Sequence, residues 1–374
     1  MRKSLEPPPE NETGSGPKLL SKYKILGFVI ASLLSANAGA LEISKNKAGH
    51  IILSGISCED IPAQSKALRQ WTESTDATCR FGRVRKKGAL CEMDLQNCLP
   101  AHVKKYQGAN PAKDGPNCWN LALVTKNLLP YLRMSSNEEM SFFMNSGMCQ
   151  QIGNGAKPAP GDIGAIRKKD TNCQPGEAAC EVHGFIYVSE QLAYSKNSQD
   201  ALDSYALQDI NHVYSMYDAG PFTCSEEGNS SACPAHQIDF FRCQSFPDFL
   251  AKAKAAAEYR KAFEVLDFAE CKVSGASMRP VVFDQKEKTN IAAAIGAVTG
   301  FLNRAEAATK SPDEIFLYEA LGVRLRSMAE QVNLFPYAPV NPGFPSGKRQ
   351  LDEKWWKAVD PDPAQRSTQE WPFP

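Results

Sequence analysis

The stretch Gly115-Pro116-Asn117-Cys118-Trp119-Asn120-Leu121-Ala122 puts a cysteine at the head of an apolar run. Leu121, Val124 and Leu128 then recur at helical spacing, so Cys118 is expected in the first turn of a helix. Helix N-termini favour negative charge, which predicts a stabilised thiolate and a lowered pKa for Cys118. The backbone N–H of the same residue would be an oxyanion donor for an attacked carbonyl. Further along, Val182-His183-Gly184-Phe185-Ile186-Tyr187-Val188 places a histidine at the start of a strand. A thiol on a helix start and an imidazole on a strand are what thiol-based acyl chemistry needs. The ring takes the thiol proton and returns it to the leaving amine, and a third polar group holds the ring in place.

The elements that must position these groups can be read around them. A helix is expected over 117–129, stopped by Pro130, and a second over 137–144. Strands are expected at 163–166, 185–188 and 192–195, the first fed by the turn Pro160-Gly161-Asp162, where the Asp162 side chain fixes the turn. Residues 41–100 read as a small β-rich or irregular segment stapled by disulfides. Residues 248–270, free of Gly and Pro, read as one helix opened by Pro247, followed by helices over 287–306 and 311–332. Ser311-Pro312-Asp313-Glu314 is a capping box for the last. The final forty residues hold eight prolines and three of the five tryptophans and are expected to be extended, with their aromatics packed back on the body.

The order of these motifs resembles the NlpC-type branch of the papain-like cysteine peptidases. That family joins a nucleophilic Cys at a helix N-terminus, a Pro-Gly-Asp turn and a His on a strand of the form His-x-x-Ile-Tyr. Cys118, Pro160-Gly161-Asp162 and His183 to Tyr187 match in order, across roughly residues 100 to 200. The resemblance implies an α+β fold with a papain-like, NlpC-type core. In it, the helix bearing Cys118 packs on a small antiparallel sheet bearing His183, with an added C-terminal helical region. It implies amide hydrolysis in peptidoglycan peptides or a related peptide substrate, with no cofactor. Tyr106, in Tyr106-Gln107-Gly108, matches the family's tyrosine near the oxyanion site, and Trp119 is placed with it in the oxyanion and substrate-binding part. Where the family often writes Asp-Cys-Ser-Gly-Leu, this chain has Asn117-Cys118-Trp119-Asn120-Leu121, and Cys-Trp is similar to the broader papain-like and transglutaminase-like clans. The third catalytic position falls in Tyr194-Ser195-Lys196-Asn197; Asn197 is the expected residue and Ser195 the alternative by register.

The chain is 374 residues long and 43% hydrophobic, enough for a substantial core. Lys+Arg and Asp+Glu both number 42, and a formal charge of zero argues against a chain built to coat nucleic acid. Lys18, Lys22 and Lys24 precede the apolar run Ile25 to Leu34, which closes in Ala38-Gly39-Ala40. This is the three-part pattern of a secretory signal behind a polar lead, with cleavage expected after Ala40. The apolar run is short for a membrane span, and none is expected after cleavage. Export, to the periplasm or beyond, makes twelve cysteines intelligible. Cys91 with Cys98 and Cys173 with Cys180 are expected local staples. A reduced Cys118 leaves eleven others, so one more thiol is expected free.

The organisation expected is therefore 1–40 signal, 41–100 stapled segment, 101–244 catalytic domain, 245–334 helical region and 335–374 tail. Four other histidines show no metal-ligand spacing, and no metal is expected. The C-terminal helices offer a face for shaping the substrate groove or for a protein partner. Two further readings keep the scaffold and change the chemistry: an inactive disulfide-rich secreted binding module, and a thiol enzyme that transfers its acyl group to an amine.

Overall fold

The computed structural model describes residues 41–75, 77–110, 116–153, 156–169, 180–197, 203–220, 234–277, 285–306, 308, 310–334, 349–350 and 372–373. The expected signal segment lies outside these residues, as do Cys173 of the expected Cys173–Cys180 staple and most of the tail. The protein is mixed α+β, with mainly antiparallel sheets.

The chain opens with β1 (Glu42–Lys45), β2 (Ile51–Ser57), helix α1 (Ile61–Glu73), β3 (Val84–Lys87) and β4 (Leu90–Asp94). These strands form one antiparallel sheet in the order β1-β2-β4-β3. Disulfides Cys58–Cys91 and Cys79–Cys98 hold it. Both cysteines of the expected Cys91–Cys98 staple are therefore used, each with a more distant partner. Cys91 lies inside β4, so its partner is set by the neighbouring strand β2 and not by the loop that follows. Helix α1 was not expected; it starts with Pro62 in its first turn and buries Leu68 and Trp71.

Next come α2 (Ala101–Tyr106), α3 (Cys118–Thr125), α4 (Asn137–Asn145), β5 (Cys149–Gln151), β6 (Ile163–Lys168), β7 (Glu181–Tyr187), β8 (Leu192–Ser195) and β9 (Ala206–Asp209). They are followed by α5 (Ile210–Met216), β10 (Ala219–Gly220) and β11 (His236–Cys243). The second sheet runs β10-β11-β6-β7-β8-β9, with β5 beside β11. Every pairing is antiparallel except the short β10–β11 contact. Alternation along the strands divides the side chains between two faces. Ile163, Ala165, Ile186 and Val188 join the main core with α3 and α4. Ile166, Phe185, Tyr187 and Ala193 form a second cluster with Ile210 and Val213 of α5. Cys149–Cys243 ties β5 to β11.

Helix α3 ends at Thr125, before the expected Leu129, because Asn127 turns into the left-handed region at φ +56°. Strand β7 begins at Glu181, so His183 is its third residue rather than its opening one.

The remaining helices are α6 (Phe246–Lys252), α7 (Ala257–Ser277), α8 (Gln285–Glu306) and α9 (Pro312–Leu334), and a short pairing of β12 (Arg349–Gln350) with β13 (Pro372–Phe373) follows. The single helix expected over 248–270 is broken between α6 and α7. Side chains at the start of α9 capture the intervening backbone: Lys254 N–H donates to Asp313 at 2.7 Å and Ala256 N–H to Glu314 at 3.0 Å. These external acceptors compete with continued helix, and helix propensity loses. The expected capping box is formed, Ser311 N–H donating to Glu314 and Glu314 N–H to Ser311 Oγ.

A buried charge cluster joins these helices to the segment between α3 and α4. Arg133 donates to both carboxylate oxygens of Glu139, at 2.8 and 2.6 Å, and to Glu270 of α7 at 3.0 Å. Arg324 of α9 grips the same Glu270 at 3.1 and 2.8 Å. Arg133, Glu139 and Glu270 are fully buried.

Candidate active site

Asn117 is the N-cap of α3. Its Oδ1 accepts from Asn120 N–H at 3.1 Å, and its Nδ2 donates to the Ser135 carbonyl at 2.7 Å. Asn120 in turn holds the Arg133 N–H and Ser135 Oγ. The polar residues of Asn117-Cys118-Trp119-Asn120 thus fix the start of α3 to the loop that carries the charge cluster. The cap leaves the first-turn N–H groups of Cys118 and Trp119 outside the helix ladder.

Gly184 brings β7 against this helix start. A side-chain carbon built at Gly184 would lie 3.5 Å from both Trp119 Cα and Ala122 Cβ, and 3.1 Å from Met140 Cε. A side chain here would touch α3 at ordinary contact distance and crowd the tip of Met140. Cys118 is reduced and only 7% exposed. Burial pushes its thiol up to about 11; backbone N–H groups of Gly184 and Trp119, the charge of Lys196 and the cysteine's own N–H oppose that rise without cancelling it. The expected fall in pKa is therefore reversed: loss of water outweighs the helix terminus and its N–H groups.

His183 is fully buried. Its Nε2 lies 2.9 Å from Ser195 Oγ, and its Nδ1 is buried with no hydrogen-bond partner among the described residues. Burial, helped by Lys196, depresses the imidazole to about 3. At neutral pH the pair thus rests as thiol and neutral imidazole, with no hydrogen bond closed between them. Lys196 is buried and acts electrostatically on both groups.

The residue touching the far nitrogen is Ser195. Asn197 stands one bond further out, its Oδ1 accepting from Ser195 Oγ at 3.1 Å. Extending the Ile186↔Tyr194 pairing would set Asn197 opposite His183, but β8 ends at Ser195 and Asn197 turns to Gln208 of β9. Ser195 remains in the strand, on the face shared with His183.

Tyr106 packs its ring on Tyr205 at 5.7 Å, and the segment behind it is stitched to β9 by Leu207 N–H donating to Gln107 Oε1. The phenol that the structure couples electrostatically to Cys118 is that of Tyr217. Its ring also stacks on His183, centroids 4.1 Å apart and planes 20° from parallel. Burial raises the Tyr217 pKa, so it remains a neutral O–H donor. Tyr217 ends α5 without any motif around it, and only the positive φ of Asp218, +43°, marks the turn that presents it. Trp119 is half-buried, with its Nε1 buried and unpartnered among the described residues.

Asp162 does fix its turn: Oδ2 accepts from Ala159 N–H at 2.6 Å, and Arg242 of β11 donates to both its oxygens. Cys118 and Cys271 are the free thiols among the described residues. No group of three or more metal-ligating side chains, and no helix long and apolar enough to cross a membrane, occurs among the described residues. No family model, curated protein or solved structure matches this chain.

Proposed function

We propose that the chain is an exported cysteine hydrolase of the NlpC-type, papain-like form, cleaving amide bonds in peptidoglycan peptides. One observation carries the reading. Cys118 stays reduced at a helix start packed against the strand that carries His183, whose Nε2 is held by Ser195 and whose Nδ1 has no partner among the described residues. The disulfides Cys58–Cys91, Cys79–Cys98 and Cys149–Cys243 support an oxidising compartment. The peptidoglycan substrate rests on the motif resemblance.

In this reading Nδ1 takes the Cys118 proton as sulfur bonds to the carbonyl carbon. The oxyanion is met by first-turn N–H groups of α3, with Tyr217 as the neighbouring phenol. The carbon–nitrogen bond breaks, imidazolium returns the proton to the leaving amine, and a thioester remains. Water, deprotonated through the same nitrogen, releases the acid and restores the thiol. The resting neutral pair means that proton transfer accompanies attack instead of preceding it.

The test is digestion of purified cell wall by the mature chain and by Cys118→Ala. New amine termini with the first and none with the second are expected; equal release from both overturns the assignment. Two observations favour alternatives. Burial of Cys118 would protect a thioester from water, which suits transfer to an amine; an added amine appearing in the product identifies that course. The lack of a hydrogen-bond partner for His183 Nδ1 among the described residues suits an inactive binding module, which would bind cell wall without releasing product from it.

A further inference from the structure

The chain is neutral overall, yet residues 77–91 contain five basic side chains and no acidic one: Arg80, Arg83, Arg85, Lys86 and Lys87. All five are exposed. Lys87 pairs with Glu92, and Arg85 acts on the same carboxylate. Arg80, Arg83 and Lys86 form no ion pair among the described residues. The run is anchored at both ends. Cys79–Cys98 ties the chain just ahead of Arg80, and Cys58–Cys91 ties β4. Arg80 N–H and Gly82 N–H donate to the Asn97 and Asp94 carbonyls at 2.9 and 3.3 Å. Strand β3 stands last in the order β1-β2-β4-β3, so one of its edges is open among the described residues. It closes a hairpin with β4 through Gly88-Ala89, with Lys87 opposite Leu90 and Gly88 turning at φ +69°. The pair that closes a two-residue turn exchanges its main-chain hydrogen bonds, and the pattern alternates from there. Arg85 and Lys87 therefore spend their N–H and C=O groups on β4, while those of Val84 and Lys86 point outward.

We infer that the open edge of β3 is a docking surface for an extended acidic peptide, which adds to the sheet as a further strand. The outward groups of Val84 and Lys86 bond the peptide main chain, and the basic side chains on both faces of the strand meet its carboxylates. Short length and charge also guard an edge strand against pairing. That guard is sign-specific: it repels a second copy of this edge and attracts a strand of acidic residues. The positive run also begins at Arg80, ahead of the strand, where there is no edge to guard. Other anionic partners fit less well. Val84 is the one large apolar side chain exposed on the hairpin, at 39%, which offers a bilayer little to bury. Phe81, the aromatic ring of the run, packs against the main core, leaving none for bases to stack on. A phosphate polymer would leave the open main-chain groups unused. The first sheet carries none of the candidate active-site residues, so the inference stands apart from the hydrolase reading.

The experiment is fluorescence anisotropy of a labelled octapeptide of alternating threonine and glutamate, titrated with the full chain. Saturable binding that weakens as salt is raised is expected, with none for the matching peptide of threonine and lysine. Arg83→Glu combined with Lys86→Glu is expected to weaken binding about tenfold. Val84→Pro keeps every charge, removes one outward N–H at the first position of the strand, and is expected to weaken binding about fivefold. Hydrogen exchange in the wild-type protein gives a second readout that needs no variant to fold. The amides of Val84 and Lys86 are expected to exchange more slowly once the peptide is bound. Polyphosphate, and vesicles of phosphatidylglycerol and phosphatidylcholine, are expected to leave those two amides unprotected. Absence of binding by the acidic peptide overturns the inference and leaves the charges as an edge guard alone. Exchange at Val84 and Lys86 unchanged by bound peptide overturns it as well, since no strand has then been added. Tighter binding of polyphosphate or of the vesicles than of the peptide makes this a surface for that other class and equally overturns it.

Discussion

Acid should find His183 before it finds most of the fold. The ring is fully buried and its pKa falls from an ordinary 6.5 to about 3, through burial and the neighbouring charge of Lys196. The unfolded chain binds this proton as pH drops below 6.5, while the folded chain refuses it until about 3. Stability is therefore undiminished by this group above 6.5 and is lost progressively as pH falls toward the folded value. Linkage over that interval gives a loss of about 2 kcal/mol by pH 5 and about 3 kcal/mol by pH 4. His102, also depressed by burial, to about 4, adds a loss of the same sign. The assay is urea unfolding of wild type and His183→Gln at pH 7, 5 and 4, each referenced to its own value at pH 7. His102 and the carboxylates contribute to both proteins, so the difference isolates His183. The variant is expected to lose about 3 kcal/mol less than wild type by pH 4. Parallel pH dependences would refute the premise that this imidazole is neutral and shut away from water.

The charge cluster gives a second expectation. Arg133→Met leaves Glu139 and Glu270 short of a buried partner and should cost about 3–5 kcal/mol in thermal or urea unfolding, whereas Arg326→Ala, at the half-exposed Glu138 pair, should stay within about 1 kcal/mol. Gly184→Val should cost about 1–3 kcal/mol by overpacking and also change the alkylation rate of Cys118, because the added atoms push on Trp119 and Ala122 of the same helix. A destabilised variant with unaltered Cys118 reactivity would show that the close approach serves packing alone.

The helix start at Cys118 and the strand at His183 were legible because each signal is local: an Asn cap before an apolar run, and a buried run with β-branched and aromatic residues. The α+β class follows from the same signals. Local signals fail where distant chain decides. Strand β11 went unread although it is central, since its register with β6 is set by a partner far away in sequence. The gap between α6 and α7 comes from acceptors on α9. Cys91 and Cys98 pair with Cys58 and Cys79 and not with each other. At the site, the end of β8 decides that Ser195, the alternative by register, bonds the His183 ring while Asn197 stands one bond further out. Tyr217 carried no signal, and the direction of the Cys118 shift depends on burial, which the sequence does not print.

The Arg133 cluster has a bearing on how the molecule comes apart. Helices α7 and α9 cannot swing away from the Cys118 end of α3 as a loosened flap, since the first step would strand guanidinium and carboxylate groups in a nonpolar gap. Opening must proceed far enough to hydrate all of them together. Proteolysis should accordingly find either an intact body or a wholly melted one, with no stable fragment shorn of its carboxyl-terminal helices.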